Sequence, residues 1–389
     1  MKMKVIVKSI VKESVFFLIA TTVTLWGCVH SDPDQELPLQ VEELEGGNRN
    51  SNPLSDSDTT SLSPEQIPPS QLSIATYNVY NLFDHVDDAH NEGEYTPNMQ
   101  WTFTRYQERL AEVARVIVDL NVDVLALQEV ESTRVLADLA QEVLNQGGPE
   151  YIDQAVSPTR DPRGISLAVL SRFPLRQAIG RPINSEYTCQ NGTRLDGSRP
   201  EARPLYQVDL WGNEDQAALS LLITHWKSRA SDDFPCRVTE HQERSGIHLN
   251  SIVRELTAES DRAIIVLGDF NADETERSMT VSLDATLNQS QLSMKSQLWN
   301  TWSALNVSAT TINTQENSTY FFDGRWHRLD HILINKGVAL GEGRWNFVGF
   351  ELFNASYLIS RGRPNIWNTN RASGYSDHLP LRAFFTYQQ

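Results

Sequence analysis

Residues 263–273 read AIIVLGDFNAD, and the fold class turns on this stretch. Ala263 to Leu267 form a short apolar run closed by Gly268, the pattern of a strand. Its carboxyl end delivers Asp269 and Asn271. Similar runs lie on either side, at Leu72–Val79, Val122–Leu127, Ile165–Leu170, Leu219–Thr224 and Ile332–Ile334. Between the first two, RYQERLAEVARVIVDL (105–120) places Leu110, Val113, Ala114 and Ile117 on one helical face, with Arg105, Glu108, Glu112 and Arg115 largely on the other. Strands alternating with helices predict a mixed α/β domain over residues 71–389.

The amino-terminal residues read differently. Lys2, Lys4, Lys8 and Lys12 precede an apolar run from about Val15 to Gly27, too short and too threonine-rich for a membrane span. Residues 1–28 therefore predict an export signal. Its end, Leu25-Trp26-Gly27-Cys28, resembles a bacterial lipobox in which Cys28 is lipidated and anchors the chain to a membrane, although Trp26 stands where a small residue is usual. A plain secretory signal cut nearby is the alternative. With a lipidated Cys28, Val29 in the next position favours, by resemblance, the outer membrane; otherwise the product is periplasmic or extracellular.

Residues 29–70 lose apolar periodicity and carry nine acidic side chains, from Asp32 to Glu65, against the single Arg49. This composition predicts a disordered tether. The tether holds about eight of the net negative charges of a chain whose formal charge is −17. Such a charge argues against a tight nucleic-acid binder, but the folded part is only moderately acidic, and a hydrolase must also release its product. In an oxidising compartment Cys189 and Cys236, left after Cys28, suggest one disulfide, with two free thiols as the alternative. Two isolated cysteines cannot make the usual metal ligand set.

The theme of an apolar strand bringing polar side chains to its end recurs along the domain. IATYNVYNLFD (74–84) carries Asn78, Asn81 and Asp84; VDVLALQEVE (122–131) carries Gln128, Glu129 and Glu131. LLITHWKSR (221–229) carries His225, Lys227 and Arg229, RLDHILIN (328–335) Asp330 and His331, and YSDHLPLRAFF (375–385) Asp377 and His378. Taken singly, each has a bland reading as a turn, a sheet edge or a solvated loop. Together they place oxygen ligands and imidazoles at strand ends of one domain, where open sheets put their ligand sites.

These strings, with RGISLAVLSRFP (163–174), resemble in kind and order the endonuclease/exonuclease/phosphatase superfamily, most of all an exported bacterial branch. The resemblance runs from about Leu72 to Phe385. It implies a four-layered α/β sandwich, two packed mixed β-sheets flanked by helices. It implies a metal site at Glu129, aided by Asn78 and Asp377, whose hard oxygens suit Mg²⁺ or Mn²⁺ and also admit Ca²⁺. Asp269 and Asn271 would face the scissile phosphate and the attacking water. His378, held by Asp330, would act as base or phosphate clamp.

His225 matches the pancreatic-type deoxyribonucleases and the sphingomyelinases, which have a histidine here as candidate general acid; the abasic-site repair branch does not. Lys227 and Arg229 would bring local positive charge to the phosphate. Arg163, just before a strand expected beside that of His225, either contacts phosphate or pairs with Asp161. Asp84, Asp87 and Asp88 either bind a second cation or form a solvated loop. Tyr80 stands where the branch more often has an acidic residue, which removes one secondary metal contact. The expected activity is cleavage of DNA, with RNA as a further substrate. A lipid head group or other small phosphoester is the alternative, which the Trp-containing stretches GRWNFVGF and NIWN do not decide. A non-enzymatic surface lipoprotein would call for substitution at Glu129, Asp269 or His378, and all three positions are filled. No protein partner is implied.

Overall fold

The computed structural model describes residues 68–86, 93–161, 163–182, 203–212, 217–229, 238–258, 260–305 and 314–388. The signal segment with Cys28, nearly all of the expected tether, Asp87, Asp88, Cys189 and Cys236 lie outside the described residues.

The chain enters along β1 (Gln71–Leu82) and turns back through α1 (Phe103–Leu120) to β2 (Val124–Val130), then through α2 (Thr133–Asn145) to β3 (Asp153–Val156) and β4 (Ser166–Ser171). It crosses to a second sheet with β5 (Leu175–Arg181), β6 (Leu205–Gly212) and β7 (Ala217–His225). There α3 (Val238–Ala258) leads to β8 (Ala263–Asp269), followed by β9 (Ala285–Thr286) and β10 (Leu298–Asn300). A hairpin of β11 (Tyr320–Phe322) and β12 (Arg325–His327) precedes β13 (Asp330–Asn335) and α4 (Lys336–Leu340). The chain returns to the first sheet with β14 (Trp345–Leu352), forms a small hairpin from β15 (Ile359–Ser360) and β16 (Arg363–Pro364), and ends in β17 (Leu381–Tyr387). The sheet orders are β14-β17-β1-β2-β4-β3 and β5-β6-β7-β8-β13-β10-β9.

Strand alternation makes this a four-layered sandwich. In β1, Ala75, Tyr77 and Val79 face α1 and α2, while Leu72 and Ile74 face the other sheet. In β8, Ile265 and Leu267 point to the middle core, and Ile264 and Val266 pack against Leu249, Ile252 and Val253 of α3. A period of two on strands buried on both faces thus builds three stacked cores from near-continuous apolar runs. α1 buries Leu110, Val113, Ala114 and Ile117, as the sequence predicts. It is capped by Thr102, whose hydroxyl accepts from the Arg105 amide (3.3 Å), and closed by Asn121 in the left-handed region; an N-cap of this kind contributes about 1 kcal/mol. Ser132 caps α2 in the same way. Among the described residues no helix is long and apolar enough to cross a membrane.

One expectation is corrected. The strand after Arg163, β4, does not lie beside β7. The two belong to different sheets and face each other across the middle core, where Leu167 and Val169 meet Leu221 and Ile223.

Gly268 fixes the close approach of β8 to β7. Its φ is +139°, and a Cβ there would lie 2.0 Å from the Thr224 carbonyl oxygen. Gly268→Ala is expected to cost about 3 kcal/mol or more, from the left-handed backbone and the clash combined. Gly343, with nothing within 4 Å of an added Cβ, is the control; Gly343→Ala should stay within about 0.5 kcal/mol of the parent. Denaturant midpoints of the two variants provide the check.

Candidate active site

The register of the second sheet sets up the site. Parallel pairing of β7 with β8 puts His225 opposite Asp269, and antiparallel pairing of β8 with β13 puts Asp330 opposite the same aspartate. In the first sheet, β1 and β2 run parallel with Asn78 opposite Gln128, so Glu129 follows at the strand end. Not every residue comes from a carboxyl end. Asp330 opens β13, and Asp377 and His378 precede β17, because these strands run antiparallel to their neighbours and start at the end of the sandwich where β1, β2, β7 and β8 finish.

Asp269 is the most connected group. Its Oδ1 accepts from the Asn271 amide (2.8 Å), and its Oδ2 accepts from the side-chain amides of Asn271 (3.0 Å) and Asn78 (3.2 Å). The Nε2 atoms of His225 and His378 lie 3.4 and 3.8 Å from that same Oδ2. Burial raises the Asp269 carboxyl to about 7, with Asp330 and Glu129 adding to the rise and His378 opposing it.

His378 is the cationic imidazole. Burial opposes its charge, but Asp330, Asp269 and Asp377 together outweigh that and lift its pKa well above the ordinary value. Its Nδ1 lies 2.7 Å from Asp330 Oδ2, and Ser376 Oγ accepts from its backbone amide (3.0 Å) while donating to the Asn78 carbonyl (2.6 Å). His225 is its opposite. Burial, then Arg203, Arg163 and His378, push its pKa well below the ordinary value, so it is neutral at pH 7.

Glu129 is 8 % exposed, and its backbone sits at a φ of +69°. A non-glycine residue held in that region marks a conformation that its surroundings enforce. Its Oε2 accepts from the Asn81 amide (2.8 Å), while Oε1 faces Arg163 Nη2 (3.4 Å) and His225 Nε2 (3.7 Å). Half-buried Asp377 has its pKa raised to about 6, first by desolvation and then by the Glu129 charge, with His378 opposing.

Oxygen-rich chemistry at this end fits a hard divalent cation. Two carboxyls are held above their ordinary range, and the buried Oδ1 of Asp330 has no hydrogen-bond partner. Among the described residues, Asp269, Asp330 and His378 also bring three ligand atoms within 4.8 Å of one another. That trio already holds one proton in the bond between His378 and Asp330. The Glu129 charge, in contrast, helps to raise the Asp377 pKa, a demand that a bound cation would relieve.

The basic residues divide. Arg163 pairs with Asp161 (3.0 Å) and reaches Glu129 and the Asn81 side chain (3.2 Å). Arg229 braces the 269–273 loop, donating to the Asn271 carbonyl (3.2 Å) and pairing with Glu276, with Asp273 at 3.9 Å. Lys227 is half-buried, and its carbonyl accepts from Gln242 (3.2 Å). Asp84 is buried, and its carboxylate accepts from the Val86 amide (2.7 Å).

Sequence reading missed Arg203, which donates to the Trp226 carbonyl and to Asp161 (both 3.2 Å) and acts electrostatically on His225. Nothing local distinguishes this arginine in RPLYQVDL. It also missed Arg109, fully buried, which donates to the carbonyls of Val79 and Tyr375 (2.8 Å to the latter) and so ties the end of β1 to the loop bearing Asp377. Tyr320, whose ring lies 4.7 Å from that of His378, was legible in part: STYFFDGRWH has the Asp-Gly between strand-like runs that marks a hairpin. His331 turns away from the cleft, its Nε2 against the Ala272 carbonyl (2.8 Å).

Comparison with curated proteins gives no match. Among solved structures, TDP2 from C. elegans is 18 % identical with a TM-score of 0.47, over 81 % of this chain and 75 % of that one. An endonuclease/exonuclease/phosphatase family protein from Bacteroides thetaiotaomicron is 15 % identical with a TM-score of 0.47, over 82 % and 96 %. The human Nocturnin catalytic domain with bound sulfate anion is 16 % identical with a TM-score of 0.45, over 82 % and 95 %. Residues 73–386 match the profile described as the Endonuclease/Exonuclease/phosphatase family. That span takes in every element that lends a side chain to this cleft, and the chain belongs to the Endonuclease/Exonuclease/phosphatase family.

Proposed function

We propose that this protein is an exported phosphodiesterase, dependent on a divalent cation, that hydrolyses DNA and also accepts RNA. Metal-dependent phosphoester hydrolysis is the chemistry of the family. The observation that carries the reading is Asp269, fixed by three hydrogen bonds between a cationic and a neutral imidazole and raised to about 7. A carboxyl poised near neutrality is suited to take a proton from an attacking water. Export rests on the lysine-rich, apolar amino-terminal segment and, for an outer-membrane anchor, on Cys28.

In this reading Glu129, Asn78 and Asp377 hold the cation, Mg²⁺ or Mn²⁺. When bound, it supplies polarisation of a phosphoryl oxygen and stabilisation of charge on the leaving group. Asp269 orients the attacking water and accepts its proton. Asn271 positions Asp269 beside the phosphate, its side-chain amide donating to Asp269 and to the Trp226 carbonyl (3.0 Å each). His378, kept cationic by Asp330, clamps the phosphate. His225 is neutral in the free protein, with its Nε2 facing Asp269 (3.4 Å) and Glu129 (3.7 Å). A bound phosphodiester brings negative charge that offsets Arg203 and Arg163, moving its pKa upward toward the value of an acid for the leaving oxygen. Arg163, which faces Glu129, would meet phosphate; Lys227 and Arg229, on the segment that follows His225, would form a secondary basic rim. A lipid anchor would favour the alternative substrate, a lipid head group or other small phosphoester. Plasmid DNA and bis-p-nitrophenyl phosphate separate the two: nicking supports the nuclease, and cleavage of the small diester with intact plasmid supports the alternative.

Glu129→Ala is expected to abolish Mg²⁺- or Mn²⁺-stimulated cleavage of both substrates while circular dichroism stays unchanged, and persistence of that stimulation would remove Glu129 from the metal site. Asp269→Asn and His378→Ala should each lower turnover by about 10²–10⁴-fold, the range for loss of a positioned acid–base group. A mild effect from both would sink the mechanism.

Asp377, at about 6, holds a proton that a cation bound there must displace, and the cation's charge also favours ionised Asp269, at about 7, so divalent affinity should rise from about pH 5 to about pH 8 with protons released on binding. The sign for stability is the reverse. Folded values above the ordinary 3.8 mean that these two groups favour the metal-free fold at low pH and withdraw that contribution as pH rises through about 7. Calorimetric titration in buffers of different ionisation enthalpy reads the proton release, and a pH-independent affinity would contradict it.

A further inference from the structure

The β11–β12 hairpin rises directly from the reacting groups. Tyr320 forms an isolated bridge with His378, and the Leu379 amide donates to the Thr319 carbonyl (2.8 Å), which fastens the foot of the hairpin to the loop of the catalytic imidazole. The Tyr320 ring lies 4.7 Å from the His378 ring, tilted by 35°. The Phe322 ring follows at 6.5 Å, nearly parallel to Tyr320 at 16°. Three flat faces therefore run from the catalytic histidine toward solvent, and the last, Phe322, is 58 % exposed.

Strand alternation separates the two faces of the hairpin. Phe321 and Trp326 oppose each other, their rings 5.5 Å apart, and Trp326 is buried in the core beneath. On the other face, Phe322 opposes Arg325, and Tyr320 opposes His327. Exposed Arg325 thus shares the face of the exposed ring, and His327 Nδ1 lies 3.2 Å from Asp273, joining the hairpin to the 269–273 loop. Asp323 and Gly324, at φ of +48° and +77°, form the tight turn at the tip.

We infer that this face is a stacking platform for a nucleobase next to the scissile phosphate, with Tyr320 and Phe322 as the stacking surfaces and Arg325 as the cation for the strand's backbone. The inference rests on the nuclease reading and names how that site holds its substrate. An exposed aromatic beside an arginine gives a base a flat apolar surface and its phosphate a countercharge, the usual arrangement for single-stranded nucleic acid. The most prominent point of the hairpin argues against a lipid surface as occupant. It is the turn carrying exposed Asp323, whose carboxylate is costly to push into hydrocarbon and repelled by anionic head groups.

The test uses two single strands of equal backbone charge, an oligothymidylate of about ten residues and a base-less tetrahydrofuran strand of the same length. Binding is read by anisotropy in EDTA and cleavage as kcat/KM in Mg²⁺. The parent should prefer the base-bearing strand by about tenfold, in line with one stacked base. Phe322→Ala should remove most of that preference, Phe322→Trp should keep it, and the losses from Phe322→Ala and from removing the bases should be non-additive. An unchanged preference in Phe322→Ala overturns the platform. If Phe322→Ala instead loses only binding to phosphatidylglycerol vesicles, the face belongs to a lipid surface and the platform is likewise refuted. Should the parent cleave bis-p-nitrophenyl phosphate but neither strand, the nuclease reading fails by itself, and the anisotropy ratio still decides whether the face binds bases.

Discussion

The carboxylates of Glu129, Asp269, Asp330 and Asp377 are largely withdrawn from bulk water at one end of the sandwich. Taking each such ion out of water costs several kcal/mol unless a counter-charge or hydrogen bonds offset it. The surrounding structure is arranged to meet that cost. Asp330 is offset by the imidazolium of His378, and Asp269 by amides from Asn78 and Asn271. Glu129 receives the Asn81 amide and the edge of Arg163. Those partners leave Asp269 still raised to about 7 and Asp377, beside the Glu129 charge, pushed up to about 6, and a divalent cation is the group whose charge fits such a deficit.

The backbone supplies this arrangement through register. Because β7, β8 and β13 are paired so that His225, Asp269 and Asp330 stand in one row, no loop flexibility intervenes between these three groups. Groups built on strands are held more tightly than groups on loops. The looser partners, Asp377 and His378, come from a loop, and that loop is tied down by Ser376 on Asn78 and by Arg109, which crosses from α1 to the Tyr375 carbonyl. A helix residue on the far side of the first sheet thus helps to hold the imidazole's loop in place.

Electrostatics divide the two histidines that residue types alone make equivalent. His378 faces three carboxylates and is cationic; His225, 3.4 Å from Asp269, is overruled by desolvation, Arg203 and Arg163 and stays neutral. Sets of titratable groups driven apart in this way mark sites of acid–base chemistry. The placement of Arg229 follows the same logic from the other side. Paired with Glu276 and bonded to the Asn271 carbonyl, it serves first to hold the loop that carries Asp269.

The sequence by itself determined β1, β2, β4, β7, β8 and β13, the helix α1, and the placement of Asn78, Glu129, His225 and Asp269 toward the carboxyl ends of their strands. Those depend on local periodicity and turn chemistry, which a linear pattern records. It also determined the α/β class and, through ordered short strings, the family and its four layers. Only the tertiary structure decided which sheet each strand joins, and so that β4 faces β7 instead of flanking it. It alone brought Arg203 beside His225, Arg109 beneath the Asp377 loop and the Tyr320 ring onto His378. Arg109 and Tyr375 are 266 positions apart in the chain, and the charge states of His225 and His378 depend on groups gathered from several strands and loops. Such long-range proximity leaves no periodic trace in a sequence, because it is set by the packing of whole sheets and not by the residues that meet.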